Sequence, residues 1–419
     1  MAQKLDKAAY GALLRVREAW SFDLGCLLMR FYAYMMGVGT MAMITMAGYS
    51  FVEAGVTSSV IAISTFAVAP RVSKRIDERG QSKVVPLAAV VALAGLAVLL
   101  GTVYVGGPFW MLWVAAVPMG FLPNPQALAR ARWTTLIHSG RLGEKAPDLQ
   151  TMFSYEGVID DVGFMFGPAA SVALATAVTP IAGMLAGGVV YVVGTAMLLA
   201  ARSSEPAPSG AAGVAGRSLA SAAGVADGAS AQSRSIIRTS TVVAVLFVVM
   251  LFVGAFFSTY DAAVVALAQE LGKPALASGV LMMISCLSMI TGLLFGMMRL
   301  PFSPWARLMV TALLAGGTYG CMFLVNSEPT LIALSALSAL FYAPLLITAN
   351  ATCEHAVETS RITEAITWIN AGMTCGMALG STLGGVVIDA WGAASGFDAC
   401  AVMALCVPLV ALFSRRMVK

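Results

Sequence analysis

Long apolar runs alternate along the chain with short breaks of charged or turn-forming residues. The runs fall at about 26–48, 52–72, 84–105, 108–129, 153–177 and 180–201, and again at 239–264, 276–298, 306–325, 329–351, 365–388 and 394–414. A helix that crosses a bilayer needs about 20 mostly apolar residues. The pattern therefore predicts an all-α, polytopic membrane protein with 12 transmembrane helices. The strands of an outer-membrane barrel would alternate polar and apolar positions instead. Between the two sets, 23 of the 33 residues in 203–235 are Ala, Gly or Ser, the composition of a flexible linker.

Six spans, a linker and six spans predict this organisation: a segment 1–23, a six-helix bundle 24–202, the linker 203–235, a second six-helix bundle 236–414 and a tail 415–419. A shift of 209 residues superposes Gly163-x-x-x-Gly167 on Gly372-x-x-x-Gly376, each in the fifth span of its half. Equal halves with a weak internal repeat are how many secondary transporters are built.

Charge sharpens this picture. Only 11% of the residues are charged, against about 25% in soluble domains. Of the 25 basic residues, 23 fall on one predicted side: the N-terminus, the 2–3, 4–5, 8–9 and 10–11 loops, the linker and the C-terminus. Cytoplasmic loops attract Lys and Arg. Both termini are therefore expected in the cytoplasm, in a multi-pass protein of the cytoplasmic membrane. The net charge of +4 reflects that bias rather than nucleic-acid binding. Residues 1–23 carry Lys4, Lys7, Arg15 and Arg17 without an apolar core, unlike a cleavable signal peptide. Seven scattered cysteines and two histidines show no disulfide or metal-site spacing. Without a phosphate-cradling Gly-x-x-x-x-Gly-Lys-Ser/Thr loop, no nucleotide or other cofactor is expected.

The loop after the second span reads Ser73-Lys74-Arg75-Ile76-Asp77-Glu78-Arg79-Gly80-Gln81-Ser82-Lys83. It resembles the Gly-x-x-x-Asp-Arg-x-Gly-Arg-Lys loop of the major facilitator superfamily. Asp77 and Gly80 stand at matching positions, Ser73 and Glu78 depart from the pattern, and Arg79 and Lys83 supply positive charge from shifted places. In the family this Asp helps lock the cytoplasmic side against a helix end of the other half, which suits an anion near a positive dipole end. Gly163 to Gly167 with Pro168 resembles the family's exporter motif, although Ala169, Ala170 and Ser171 replace its further glycines. Small residues four apart also serve ordinary helix packing. Arg130 and Arg132 close the fourth span, while Arg361 and Glu364 open the eleventh. With Glu156 to Pro168 they resemble the bacterial branch of drug or arabinose-like sugar exporters. Asp77, Arg79, Gly80, Lys83, Arg130, Arg132, Arg361 and Glu364 are accordingly cytoplasmic-gate candidates.

Ionisable residues inside spans are costly and are usually paired or line a wet cavity. Here they are Arg30, Glu156, Asp160, Asp161 and Asp261. Glu156 and Asp160 share a helix face four residues apart, at a depth where Arg30 or an arginine of span four could pair with them. Two roles fit: proton carriers in a transport cycle, or permanent ion-pair partners that hold the first half together. Asp261, in the outer part of span seven, is a candidate for cation or proton contact, or else a surface residue. The resemblance implies that spans 1, 4, 7 and 10 line a central cavity. Asn124 and Gln126 beside Pro123 and Pro125, Tyr260, and Phe341, Tyr342 and Asn350 are its candidate lining.

The expectation is a monomeric, proton-coupled exporter of a small organic solute that works by alternating access within the lipid bilayer. Within transport, an importer of a sugar or other nutrient is the alternative. A membrane-embedded enzyme would need a nucleophile–base pair or a metal cluster, and a receptor would not need equal halves.

Overall fold

The structure is a computed structural model that describes residue 16 and residues 19–140, 149–208, 236–298, 301–358 and 361–414. All regular structure among these residues is helical. The first half comprises α1 (Ala19–Met46), α2 (Phe51–Arg79), α3 (Gln81–Val105), α4a (Phe109–Met119), α4b (Pro125–His138), α5 (Leu149–Ala177) and α6 (Ala182–Ala200). One short turn of helix, Ile236–Thr239, then precedes α7 (Thr241–Glu270). The second half continues with α8 (Ala275–Met297), α9 (Pro304–Gly320), α10 (Glu328–Ala356), α11 (Ile362–Trp391) and α12 (Ala393–Ser414). Among the described residues eleven helices are long and apolar enough to cross a membrane, and α4a is a shorter apolar one. Most of the predicted linker lies outside the described residues.

The helix ends follow from local chemistry. Ser50 caps α2 through the Glu53 amide while the Glu53 carboxylate accepts from the Ser50 amide, satisfying two otherwise orphaned donors. Gly80 joins α2 to α3 at φ +93°, a region that a side chain rarely adopts. The fourth crossing differs from the single expected run at 108–129. It breaks after Met119 and resumes at Pro125, reaching His138. Pro123 and Pro125 have no amide donor, so the helical ladder cannot run through them. Asn124 restarts it, its side chain accepting from the amides of Gln126 (3.0 Å) and Ala127 (3.3 Å).

Packing repeats between the halves. α1 lies against α5 and α6 as α7 lies against α11 and α12, and the α3–α4a contact has its counterpart in α9–α10. The halves meet through α2–α11, α5–α8 and α1–α7. The glycine repeat accounts for the equivalent tight pairs. A Cβ on Gly167 would stand 2.9 Å from Cβ of Tyr34 in α1, and one on Gly376 would stand 2.0 Å from the Leu251 carbonyl oxygen in α7. These glycines let two backbones approach where lipid supplies no hydrophobic drive for helix association. Gly376→Val is expected to destabilise the protein by about 1–3 kcal/mol, since packed helices yield only partly to added volume. A lowered thermal midpoint in detergent, set beside an unchanged midpoint for Gly101→Ala at an open position, checks this.

Candidate functional site

Two groups of polar residues lie within the helices, one in each half. The first is built on α1, α4b and α5. Arg30 and Asp160 each stand eleven residues into their helix, about 16 Å along it, so the sequence places them at one depth. The Arg30 guanidinium forms an ion pair with Glu156, and both side chains are buried. Its Nε stands 3.7 Å from the Asp160 carboxylate. Gln126 Nε2 donates to the other Asp160 oxygen at 3.0 Å. The two acids differ in access: Glu156 is fully covered, while Asp160 keeps 27% of its side chain exposed. The Asp161 side chain lies outside the described residues.

Below this group, toward the end of the molecule where the basic loops lie, Asp23 accepts from Trp133 Nε1 at 3.1 Å and from Tyr155 Oη at 2.6 Å. Asp23 was not among the expected residues, because the first apolar run begins three residues later. Its signal is the aromatic pair on neighbouring spans, which needs an acceptor once buried. Arg132 is fully buried. It donates to Gln81 Oε1 (2.7 Å), Ser204 Oγ (3.0 Å) and the Ala201 carbonyl, binding α4b to the start of α3 and the end of α6. Arg130 is half-buried. Asp77, Arg79 and Lys83 are exposed around Gly80, and the Ser82 amide donates to Glu205 at 2.8 Å. Arg361 pairs with Glu364 at 2.9 Å, and Glu364 also accepts from the Ile236 amide, tying α11 to the entry of α7.

The second group surrounds a cavity between α5 and helices α7 to α10. Phe164, Phe256, Phe257, Tyr260, Tyr319 and Asp261 line it. Tyr260 Oη and Ser335 Oγ are 2.5 Å apart. Aromatic contacts run across the two halves: Tyr34 meets Phe164 edge-on, Phe164 stacks on Phe257 at 5.8 Å, and Phe257 stacks on Tyr342 at 5.2 Å. Phe164 and Phe257 were not expected in this role, since a phenylalanine in an apolar span carries no pattern that separates cavity from lipid. Phe341 is partly buried beside the core, and Asn350 donates to Leu346 of its own helix at 3.0 Å.

The halves are clasped at the end opposite the basic loops. Ser59 of α2 stands 2.8 Å from Ser381 Oγ and 2.7 Å from Thr382 Oγ1 of α11. The Asp389 carboxylate accepts from the first two amides of α2, Phe51 (2.9 Å) and Val52 (2.7 Å). An anion there meets the unpaired amides and positive dipole end of a helix. Gln269 of α7 donates to Thr45 of α1 at 3.1 Å at the same end.

This architecture is that of a helical polytopic membrane protein. Residues 305–418 match the family model described as Major Facilitator Superfamily. Across the fold, the chain is similar to the nucleoside transporter NupG, with 14% identity, a TM-score of 0.68, and coverage of 96% of this chain and 100% of that one. It is also similar to a bacterial homologue of the iron transporter ferroportin in an inward-facing state, with 14% identity, a TM-score of 0.67, and coverage of 95% and 98%. The POT family transporter PepTSo shares 12% identity at a TM-score of 0.66, with coverage of 96% and 98%. A comparison with curated proteins finds no match.

Proposed function

We propose that the protein is a proton-coupled secondary transporter that exports a small organic solute by alternating access. The units that move are the bundles 24–202 and 236–414, with both termini in the cytoplasm. The observation that carries this reading is the contrast between the two kinds of helix contact. Within a half, buried apolar side chains fill the helix contacts, which do not separate without large cost. Between the halves, at the end away from the basic loops, Gly55 and Gly385 also bring α2 and α11 close, but the side chains that bridge the seam are hydroxyls and one carboxylate at a helix start. Water can replace such hydrogen bonds at little net cost, so this seam is suited to open and close. With the clasp shut, access is from the basic side, and the part-exposed Asp160 at mid-span fits water entering from there. The family match and the transporter fold along nearly the whole chain favour transport over an enzyme's chemistry.

The division of labour between the acids follows from access. Glu156, covered and paired, is the standing counter-ion of Arg30. Asp160, part-exposed and shared between Arg30 and Gln126, is the carboxylate that takes and gives the proton. In proteoliposomes carrying an internal pH dye, a panel of nucleosides, peptides, sugars and amines is expected to include solutes whose addition drives proton flux. Asp160→Asn is expected to lower that flux at least tenfold without moving the unfolding midpoint. Equal flux in Asp160→Asn, or no solute-driven flux across the panel, would count against the assignment.

A further inference from the structure

We infer that the end away from the basic loops is fastened on one side only. A two-point latch at α2–α11 and α1–α7, held in register by Glu270, keeps it shut, while the equivalent α5–α8 seam carries no fastening. This rests on the alternating-access reading and deepens it by naming the seam and the residues that control the exchange.

The duplication of the chain makes the two seams comparable, because it pairs α2 with α8 and α11 with α5. Gly55 is the fifth residue of α2, and Gly279 is the fifth of α8. A Cβ on Gly55 would stand 2.1 Å from the Ser381 carbonyl oxygen, so the α2 and α11 backbones touch there. A Cβ on Gly279 would meet nothing within 4 Å. Gly279 nevertheless lies on the side of α8 that meets α5. It precedes Cys286 by two helical turns, and Cys286 Sγ is 3.7 Å from Met165 Sδ of α5. The α5–α8 seam therefore closes at mid-span and leaves room about 10 Å nearer the start of α8.

The polar contacts carry the same asymmetry. The start of α2 receives the Asp389 carboxylate from α11, whereas the Pro274 cap of α8 makes no side-chain hydrogen bond. Ser59 reaches Ser381 and Thr382 across α2–α11. Among the described residues no hydroxyl or carboxylate bridges α5 and α8. The second latch point is Gln269 of α7, which donates to Thr45 at the end of α1. Its neighbour Glu270 accepts from the Ala393 amide at 2.8 Å, just past the turn that Gly392 makes between α11 and α12 at φ +86°. Asp389 stands in the last turn of α11, four residues before Ala393. Glu270 thus pins the corner that carries Asp389 to the helix end that carries Gln269. Two bonds on one rigid corner form and break together, since closing the first brings the partners of the second into reach. Glu270 is a positioning residue that acts through Asp389 and Gln269.

The test reads how much of the full-length protein in lipid nanodiscs is open at the latched end. Donor and acceptor dyes on Lys74→Cys and His355→Cys report it from the basic end, with Cys375→Ala removing the exposed thiol. Gly55→Ala is expected to raise the open population about fivefold, because the added methyl must push α2 away from α11, and Gly279→Ala to leave it unchanged. Asp389→Ala and Glu270→Ala are each expected to raise it several-fold. Glu270→Gln keeps an acceptor for the Ala393 amide and should stay near the wild type. The two alanine changes together should do no more than the larger alone, because groups that act through one contact are not additive. Both acids are exposed, so they carry the test even if Gly55→Ala fails to fold, which its melting midpoint would show. In a protein that exchanges between two populations, three results would overturn the latch: equal shifts from the two glycine variants, no shift from a folded Gly55→Ala, or additive effects of Asp389→Ala and Glu270→Ala. A single population in the wild type and in every variant would remove alternating access itself, and the latch with it.

Discussion

Arg30→Met is expected to destabilise the folded protein by about 3–5 kcal/mol, more than the loss of any other single side chain in the two polar groups. The reason is the company Arg30 keeps rather than the strength of its own bonds. Its guanidinium is the counter-charge of Glu156, and neither side chain reaches solvent. Removing the arginine leaves a carboxylate sealed between α1, α4b and α5, where it must be protonated or drag water inward. Removing both charges leaves no such orphan. Arg30→Met combined with Glu156→Leu is therefore expected to recover most of the lost stability, because a well-packed apolar pair is often as stable as a buried ion pair. The measurement is thermal or denaturant unfolding in detergent for the two single variants and the double. A double variant no more stable than Arg30→Met would show that the arginine acts through something other than Glu156. Arg30→Lys keeps the charge but loses the planar fork, and should fall between the wild type and Arg30→Met.

The second large effect concerns the seam. Ser59 and Ser381 hydroxyl oxygens lie 2.8 Å apart across the two halves, close to the reach of a disulfide, whose sulfurs are about 2.05 Å apart. Ser59→Cys with Ser381→Cys, in a Cys375→Ala background that removes the nearby exposed thiol, is expected to crosslink on oxidation and hold that end shut. Fluorophores at Lys74 and His355, both exposed toward the basic end of opposite halves, would report the result. In the reduced protein their separation is expected to sample two populations. After oxidation one population should remain, and solute-driven proton flux should drop more than tenfold until a reductant restores it. Two populations persisting in the crosslinked protein would mean that α2 and α11 do not part in the cycle. Asp389→Asn is the softer version, removing a charge from the start of α2 while leaving its hydrogen bonds possible.

The two effects explain why charged residues within the helices do different work. Arg30 and Glu156 stay within one half, so their pairing would persist through the proposed rocking of the halves. Asp389 reaches across to α2, so in that cycle its hydrogen bonds would exist only while one end is closed. The Asp77 loop stands at the opposite end of the same α2 helix. The resemblance implies that Asp77 meets a helix end of the other half, and Asp389 already makes a bond of that kind at the far end. One helix, α2, thus carries an acid at its basic end and receives another at its start.

The sequence alone determined the helical class, the succession of apolar runs, the gathering of the basic residues into particular breaks and the duplicated glycine pairs. Each depends on properties of consecutive residues: apolar run length against bilayer thickness, charge in the breaks, and small residues one helical turn apart. It also brought Arg30, Glu156 and Asp160 to one depth, since depth is a count of residues from a helix end. Only the tertiary structure decided which side chains face each other. It separated Glu156 from Asp160 by exposure and turned Arg132 inward to hold α3 and α6. It joined Asp389 to the start of α2 across 338 positions of chain, and it stacked Phe257 on both Phe164 and Tyr342 across the two halves. The physical reason is that lipid and a dry protein interior select the same apolar residues. In a membrane chain, hydrophobicity therefore marks that a residue lies within the bilayer but not which way it points. That direction comes from helix-on-helix packing, where glycine contacts and a few polar bonds set the rotation of each span.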